Sequence, residues 1–327
     1  MKWLKLLLLV MWSAEVLAED APSSSLPASD TPQVILVVGA EGQSEYGEQF
    51  RKQAAQWTNA CVRAGATYQL IGTDTNASGS DLDRLHHCIS ESPTNGLSAL
   101  WIVLIGHGTW DGHEARFNLR GPDCTATNLA QWLKAFQRPI AVINTASASA
   151  PWIPVLAGPR RVVISATRSG DEQNLTRFGG FLAEAVADPS GDLDQDGQTS
   201  LLEAFLRAST RTAEWYQTAG RLATEHALID DNGDGLGTPA AWFRGTRATR
   251  KAAEGARLDG AAARQFVLVR GEWDQRLSPA DRAKRDALEL DLSRLRERRP
   301  EPPDEAYYRQ IEAIALELAR LQVEKAP

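Results

Sequence analysis

The sequence predicts an α/β protein: a three-layer α/β/α sandwich around a mostly parallel sheet, followed by a helical region and a C-terminal helical hairpin. Two observations predict this fold class. Short apolar runs rich in β-branched residues recur along the chain, and segments with helical apolar periodicity separate them. Strands that are apolar at every position are typical of a parallel sheet that helices cover on both faces.

The first part of the chain alternates strands with helices. In order along the chain, the apolar pattern predicts strands at 33–39, 67–72 and 97–106, with helices at 46–64 and 80–91 between them. A short polar hairpin at 115–119, a helix at 126–136 and strands at 140–144 and 161–167 follow. In open parallel sheets, chemistry collects at the carboxyl ends of the strands, so residues just beyond these runs are the first candidates for a site.

Beyond Gly179 the chain becomes mainly helical. A Gly/Ala/Arg-rich stretch then predicts a linker, "QFVLV" at 265–269 predicts an extra strand, and two apolar stripes over 278–323 predict a helical hairpin that packs on the main domain or on a partner chain. The predicted segments are a signal peptide at 1–18, a tether at 19–32, a main domain at 33–244, the linker at 245–264 and the C-terminal strand and hairpin at 265–327.

The N-terminal residues have the composition of a secretory signal. Lys2 and Lys5 precede an apolar run, and Val16-Leu17-Ala18 resembles a cleavage site. The run is short for a bilayer, so no stable transmembrane span is predicted; an uncleaved membrane anchor is the alternative. The sequence therefore predicts an exported protein, periplasmic or extracellular.

The composition excludes some classes of binding partner and of fold. The net charge of -7 argues against a nucleic-acid partner, because such proteins concentrate Lys and Arg. Three cysteines are too few for a disulfide scaffold, and their spacing matches no zinc motif. A Cys61–Cys88 bridge would suit an oxidising compartment, but the sequence leaves the pairing open.

A candidate catalytic pair follows two neighbouring predicted strands. His107-Gly108 comes directly after the third strand, and Ser147 lies in the small-residue stretch after the fourth. An imidazole at one strand end can act as a base for a hydroxyl at the next, while the backbone amides of Gly108 and Ser147 can bind an oxyanion.

At these residues the chain resembles the legumain/caspase-like cysteine peptidases of the caspase–haemoglobinase fold. The resemblance covers roughly residues 33–230: a Gly-rich turn after the first strand, then "FRKQA" at 50–54, His107-Gly108, the stretch at 146–150 where the family has Ala-Cys-x-Ser-Gly, and "VVISAT" at 162–167. It implies a peptide or protein as substrate or ligand.

The departure from the family is at the nucleophile, because Ser147 stands where the family has Cys. A serine needs a well-oriented base and usually a carboxylate behind it, and the sequence offers only Asp111, Asp171 and Glu172 as third members. Three interpretations stay open: a serine-type hydrolase, an inactive pseudo-peptidase that serves as a calcium-stabilised binding or scaffold protein of the cell envelope, and a stretch that merely packs at the strand end.

The resemblance also implies a substrate pocket. Arg51 matches the legumain-branch arginine that lines the primary specificity pocket, and Arg168 and Asp171 follow the fifth strand, where the fold places the opposite wall. In that role Arg51 would hold a polar or acidic side chain by paired hydrogen bonds. The alternative is a solvated arginine on an amphipathic helix.

An acidic loop predicts calcium. "DLDQDGQTSLLE" at 192–203 places side-chain or backbone oxygens at EF-hand loop positions 1, 3, 5, 7 and 12, which are Asp192, Asp194, Asp196, Gln198 and Glu203. Helical patterns flank the loop on both sides. A solvated acidic turn is the alternative.

A second acidic stretch repeats half of this motif. "DDNGDG" at 230–235 supplies Asp230, Asn232 and Asp234, but position twelve falls on Ala241, so the closing carboxylate is missing. Either a second calcium site or a Gly-rich helix-terminating turn fits this stretch.

Overall fold

The computed structural model describes residues 31–74 and 78–324, and every element named below belongs to that part of the chain. The predicted signal peptide lies outside the described residues, as does the predicted tether apart from Thr31 and Pro32. Within the described ranges, no helix combines the length and the apolar character that crossing a membrane requires.

Short strands occur throughout the first 250 residues. They are β1 (Gln33–Val38), β2 (Thr67–Ile71), β3 (Leu100–Ile105), β4 (Gly108–Trp110), β5 (Ala115–Phe117), β6 (Cys124–Thr125), β7 (Ile140–Asn144), β8 (Arg161–Ser165), β9 (Leu228–Asp230), β10 (Thr238–Pro239), β11 (Phe243–Arg244) and β12 (Arg247–Ala248).

Helices separate the strands and then form the C-terminal part. They are α1 (Ser44–Ala64), α2 (Asp81–Ser90), α3 (Ala126–Trp132), α4 (Trp152–Leu156), α5 (Phe178–Ala185), α6 (Leu201–Thr218), α7 (Glu272–Arg276), α8 (Pro279–Glu297) and α9 (Glu305–Glu324). Single-turn 3-10 helices at 189–191, 240–242 and 263–265 fill three of the connections.

The central sheet has seven strands in the order β10-β9-β8-β7-β3-β1-β2. The five strands from β8 to β2 run parallel, and β9 and β10 are added antiparallel at one edge. Apolar side chains from one face of the sheet pack with α1, α5 and α6, and those from the other face pack with α2, α3 and α4. The predicted three-layer α/β/α sandwich with a mostly parallel sheet is confirmed.

Local sequence explains where the helices that border the site begin and end. α1 ends at Gly65, which has φ +61°, a left-handed conformation that glycine adopts at little cost. α6 begins with a capping box, in which the Ser200 hydroxyl accepts from the Glu203 amide and the Glu203 carboxylate accepts from the Ser200 amide. Glu203 is therefore both a helix cap and the last residue of the first acidic loop.

The segment expected to be a linker is packed instead. Within 245–264, Asp259 and Ala263 are buried, and Asp259 bonds to the second acidic loop. The strand expected at 265–269 does not form among the described residues; Val267 makes only an isolated antiparallel bridge to Ser200. Tight turns and side-chain contacts, which apolar periodicity does not report, hold this segment.

The C-terminal hairpin forms as expected from its two apolar stripes. α8 and α9 pack against each other, Tyr307 and Leu321 of α9 are buried, and Lys284 on α8 bonds to Glu317 on α9 at 2.9 Å. Glu297 at the end of α8 accepts from the Leu258 amide at 3.1 Å. The hairpin thus contacts the packed 245–264 segment directly.

The cysteines carry no bridge. Cys61, Cys88 and Cys124 are all free, so the Cys61–Cys88 pairing that the sequence left open is not formed. Burial raises the pKa of Cys61 and of Cys124 to about 12 each. Both thiols stay protonated at neutral pH and act as small apolar core residues.

Candidate functional site

The segments that carry His107 and Ser147 leave neighbouring strands at the same edge of the sheet. β3 and β7 pair in parallel with Leu104 opposite Asn144, and the Thr145 amide and hydroxyl both donate to the Leu104 carbonyl, at 3.0 and 2.8 Å. The carboxyl ends of parallel strands meet at one edge, so the two segments emerge side by side. We call this place, from His107 to Gly108 and from Ser147 to Ala150, the strand-end cleft.

The Ser147 hydroxyl is enclosed by backbone. Its side chain is buried, and its oxygen accepts from the Gly108 amide at 3.1 Å and donates to the Gly108 carbonyl at 3.0 Å. A Cβ at position 108 would lie 2.3 Å from the Ser147 carbonyl oxygen, so this close approach requires glycine. The Gly108 amide, the expected oxyanion donor, is directed at the hydroxyl itself.

The His107 ring packs against α1. It makes edge contacts with the Tyr46 and Phe50 rings, with centroid distances of 5.1 Å to each. Burial lowers the pKa of His107 from its ordinary value, and a hydrogen bond to the Glu41 backbone partly opposes this shift. In the part of the chain that the structure describes, no hydrogen bond joins the His107 ring to the Ser147 hydroxyl.

The predicted pocket residues are paired with residues of this chain. Arg51 bonds to Glu41 at 3.0 Å, and both side chains are about half exposed. Arg168 lies 3.3 Å from Glu172, and the Asp171 amide donates to the Ser169 hydroxyl. A carboxylate already faces each arginine, which reduces the attraction of either one for an acidic ligand.

Of the three acids considered as a third member, Glu172 has the most contacts near the cleft. Its carboxylate bonds to His226 Nδ1 at 2.5 Å and accepts from the His226 and Arg168 amides at 3.1 and 2.9 Å. Its carbonyl accepts from the Ala148 amide at 2.8 Å, which fixes it to the Ser147 segment. His226 was not foreseen, because it lies 54 positions from Glu172 and no local motif marks it.

Asp111 has a different role. Its carboxylate accepts from the His113 and Glu114 amides at 2.9 and 2.8 Å and bonds to Arg116 at 2.8 Å, in the turn between β4 and β5. These bonds hold the pKa of Asp111 well below its usual range. Asp111 stabilises the hairpin and is not directed at His107.

The first acidic loop brings three carboxylates together. Asp192, Asp194 and Asp196 each contribute one carboxylate oxygen, and these three oxygens lie within 4.8 Å of one another. Asp192 also accepts from the Asp196 and Gly197 amides, at 3.1 and 2.9 Å, so the chain winds around its side chain. Burial, and secondarily the charge of Asp194, raise the pKa of Asp196 above its ordinary value. This crowding of negative charge is what a bound cation would relieve.

Glu203 closes that loop from the start of α6. One carboxylate oxygen accepts from the Leu193 and Asp194 amides at 2.7 and 3.2 Å, and the other accepts from the Ser200 amide at 2.8 Å. The Gln198 side chain contacts Asp196 and the Gly271 amide, so its backbone carbonyl is the atom that the motif uses for metal. Of the five predicted ligand residues, Asp192, Asp194 and Asp196 have carboxylate oxygens mutually within 4.8 Å, and Glu203 lies outside that group.

The second acidic loop is wound in a related way. Asp230 accepts from the Gly233 and Gly235 amides at 2.8 and 2.9 Å, and Asn232 accepts from the Asp234 amide at 2.8 Å. Gly233 and Gly235 both have φ +79°, a conformation that explains the glycines of the motif. Burial raises the pKa of Asp230 to about 6.

Asp259 bonds to the second acidic loop much as Glu203 bonds to the first, although the described residues of this loop form no group of three carboxylates as close as that of the first loop. One of its oxygens accepts from the Asp231 and Asn232 amides at 3.0 and 3.2 Å, and the other accepts from the Thr238 hydroxyl at 2.5 Å. Those two amides belong to the second and third loop positions, where Glu203 bonds in the first loop. Burial, and secondarily the charge of the nearby Asp231, raise the pKa of Asp259 above its ordinary value. No sequence signal marked Asp259, because it lies far from the motif in the predicted linker.

Comparison with known proteins yields a likeness of fold. No family model matches the chain, and no curated protein matches it. Among solved structures, it is similar to the Drosophila initiator caspase Dronc, with 13% identity, a TM-score of 0.40, and coverage of 69% of this chain and 92% of that chain. It is also similar to caspase-1 from Spodoptera frugiperda, with 9% identity, a TM-score of 0.39, and coverage of 65% and 91% respectively.

Proposed function

We propose that this chain is a non-catalytic, calcium-stabilised binding protein of caspase-like fold, a pseudo-peptidase in which Ser147 replaces the family's nucleophilic cysteine. The observation that carries the proposal is the enclosure of the Ser147 hydroxyl between the amide and the carbonyl of Gly108. Nucleophilic attack would require the hydroxyl to leave both partners and to reach a base that does not contact it.

The chemistry of serine supports this proposal. A thiol beside a histidine can be held as a thiolate, whereas a hydroxyl must lose its proton during attack to a base within hydrogen-bond reach. Here the His107 ring lies against Tyr46 and Phe50 and bonds to the Glu41 backbone. Among the described residues, no hydrogen bond joins the two side chains, and each has other partners.

The decisive experiment is labelling with a serine-reactive phosphonate probe, together with hydrolysis of a peptide library. We expect neither labelling nor cleavage by the wild-type protein or by Ser147→Ala. Cleavage by the wild type that disappears in Ser147→Ala would overturn the proposal. A matched Ser169→Ala variant separates reaction at this residue from adventitious labelling of the same surface.

A serine-type hydrolase is the second candidate function, and one observation favours it. β3 and β7 are adjacent and in register, so His107 and Ser147 follow neighbouring strand ends, as the legumain/caspase resemblance requires. Ser147→Cys discriminates between the two candidates. A cysteine-dependent peptidase activity in this variant would mean that the cleft is otherwise competent; continued inactivity supports the binding protein.

We also propose two calcium ions, one in each acidic loop. Asp192, Asp194, Asp196, the Gln198 carbonyl and Glu203 would hold the first. Asp230, Asn232, Asp234 and Asp259 would hold the second. The shared bonding of Glu203 and Asp259 to the second and third amides of their loops supports this pairing. Hard oxygen ligands of this kind suit calcium.

The proposed place of action is outside the cytoplasm, in the periplasm or the extracellular space, where calcium is plentiful. The signal-like composition of residues 1–18 supports export, and cell fractionation with N-terminal sequencing of the mature protein tests it. Retention in the cytoplasm with an intact N-terminus would contradict it. The proposed ligand is a peptide or protein, bound at the strand-end cleft or through the C-terminal hairpin.

A further inference from the structure

A cavity of about 580 Å³ lies at the edge of the sheet opposite the strand-end cleft. Pro32, Ala99 and Pro139, the residues just before β1, β3 and β7, form one wall, and α8 contributes Ala283 and Leu290 to the other. We call this space the amino-edge cavity. Its volume is in the range of sites for small organic ligands.

A buried donor without an acceptor lies on the wall of this cavity. Trp101 is 1% exposed and Trp57 is 0% exposed, and within the described residues neither indole N–H has a hydrogen-bond partner. Only Trp101 lines the cavity, and its ring packs edge-on against Phe266, which also lines it, at 5.9 Å. A buried N–H without an acceptor is costly. Because less than 1 Å² of this nitrogen is accessible, a ligand acceptor would reach it only with a small shift of the Trp101 ring or of a neighbouring side chain.

The charges on the cavity wall favour an anion. Six arginines line the cavity against four carboxylates, so the wall carries excess positive charge. The carboxylates already have partners in the chain: Asp286 bonds to Arg285 at 2.7 Å, and Glu297 bonds to Lys251 at 3.0 Å. Asp274 also pairs with Arg285.

The remaining carboxylate, Asp231, accepts from the Gly260 and Ala263 amides at 2.8 and 2.7 Å. On the solvent side, Arg160, Arg257 and Arg294 are exposed. The charged end of a ligand would lie near their guanidinium groups, because the interior of the cavity is formed by Trp101, Phe266 and other apolar residues.

We propose that the amino-edge cavity binds a small amphipathic anion. Its aromatic or aliphatic body would pack on Trp101 and Phe266, and a hydrogen-bond acceptor would take the Trp101 N–H. A carboxylate or sulfonate would lie near Arg160 and Arg257, because Arg294 is already paired with Asp291 at 3.0 Å. This site is separate from the strand-end cleft and from the first acidic loop, whereas Asp231 and Asn232 of the second acidic loop lie on its wall. The proposal does not depend on whether Ser147 is catalytically active.

The test uses the full chain with 8-anilinonaphthalene-1-sulfonate as probe and decanoate or indole-3-acetate as competitor. The probe fluorescence should rise saturably, and a competitor should displace it; the better competitor distinguishes an aliphatic from an aromatic body. Trp101→Phe keeps an aromatic ring and removes the donor, so we expect about tenfold weaker probe binding. Trp57→Phe removes the other unpartnered donor and should leave binding unchanged.

Two further variants separate cavity binding from loss of fold. Ala283→Phe fills the wall of the cavity and should abolish saturable binding, whereas Ala280→Phe lies on an exposed position of α8 outside the lining and should not. Near-UV circular dichroism must show native packing in both. Equal effects of Trp101→Phe and Trp57→Phe, or undiminished binding in Ala283→Phe, would overturn the proposal, as would no probe binding by the wild type.

Discussion

The strand-end cleft and the first acidic loop differ in how their polar groups are satisfied. In the cleft, the Ser147 hydroxyl has both a donor and an acceptor from Gly108. In the first acidic loop, three carboxylates have oxygens within 4.8 Å of one another. The polar groups of the cleft are satisfied within the chain, whereas the first loop holds like charges together that a cation would stabilise.

This difference indicates which of the two motifs, the one around His107 and Ser147 or the acidic loop, has polar groups available for a ligand. The legumain/caspase-like residues are present in order, but the Ser147 hydroxyl bonds to the Gly108 backbone and so holds two strand ends together. The first acidic loop brings three carboxylates close to a common point, and in the second loop the Asp259 carboxylate bonds to the Asp231 and Asn232 amides. We therefore expect the loops to respond strongly to a solution variable, calcium, to which the cleft is indifferent.

The largest expected effect is the loss of stability on calcium removal. A ligand at about 100 times its dissociation constant adds about 2.7 kcal/mol per site to the free energy of unfolding. With two sites, a chelator should lower the melting temperature by roughly 10 °C or more in a protein of this size. Calorimetry with and without chelator measures the shift, and re-addition of calcium should restore it. Superimposable curves would contradict the calcium proposal.

The next largest effect distinguishes calcium binding by the first loop from calcium binding by the second. Glu203→Gln keeps a side chain that can complete the capping box but removes the charge, and Asp259→Asn does the same for the second closing carboxylate. Each should reduce the calcium bound per chain from two ions to one in equilibrium dialysis. Asp291→Asn, an exposed carboxylate on α8, is the control. Two ions still bound by Asp259→Asn would show that Asp259 is not a ligand.

The contacts of Asp259 join residues that are far apart in the sequence, and the sequence did not predict them. The first loop could be predicted because all its candidate ligands lie within twelve positions, so local spacing encodes the site. The contact of Asp259 with the second loop could not be predicted, because Asp259 lies in a packed segment that composition had assigned to a linker. The same limit applies to the Glu172–His226 pair. Spacing in a sequence reports neighbours along the chain, and these contacts depend on tertiary packing.

The sheet was more accessible to prediction than the site. Continuous apolar runs such as 33–39 and 140–144 indicate both the strands and their burial on two faces, since a parallel sheet needs helices on each side. They also place His107 and Ser147 at one edge. Whether those side chains face each other depends on rotamers and on the close approach of Gly108 to Ser147, and apolar patterning contains no information on either.

A smaller effect concerns the Ser147 hydroxyl. Ser147→Ala leaves the buried Gly108 amide and carbonyl without their side-chain partner, so we expect a loss of about 1–3 kcal/mol in the free energy of unfolding. Urea denaturation measures this loss, and it should be the same with calcium or with chelator. Ser169→Ala, outside the enclosed pair, should cost about 0.5 kcal/mol or less. If Ser147→Ala is as stable as the wild type, the hydroxyl does not hold the strand ends together.

The smallest effect is the pH response of His107. Because burial lowers its pKa below the ordinary 6.5, the fold favours the neutral ring over the charged one. The stability that this contributes is present above about pH 6.5 and is lost as the pH falls toward the lower folded pKa. NMR titration of the imidazole should give a pKa below 6.5. Phe50→Ala exposes the ring and should move that pKa back upward. A wild-type value above about 6.5 would instead indicate a nearby carboxylate, and with it a histidine better placed for catalysis than the packing against Tyr46 and Phe50 allows.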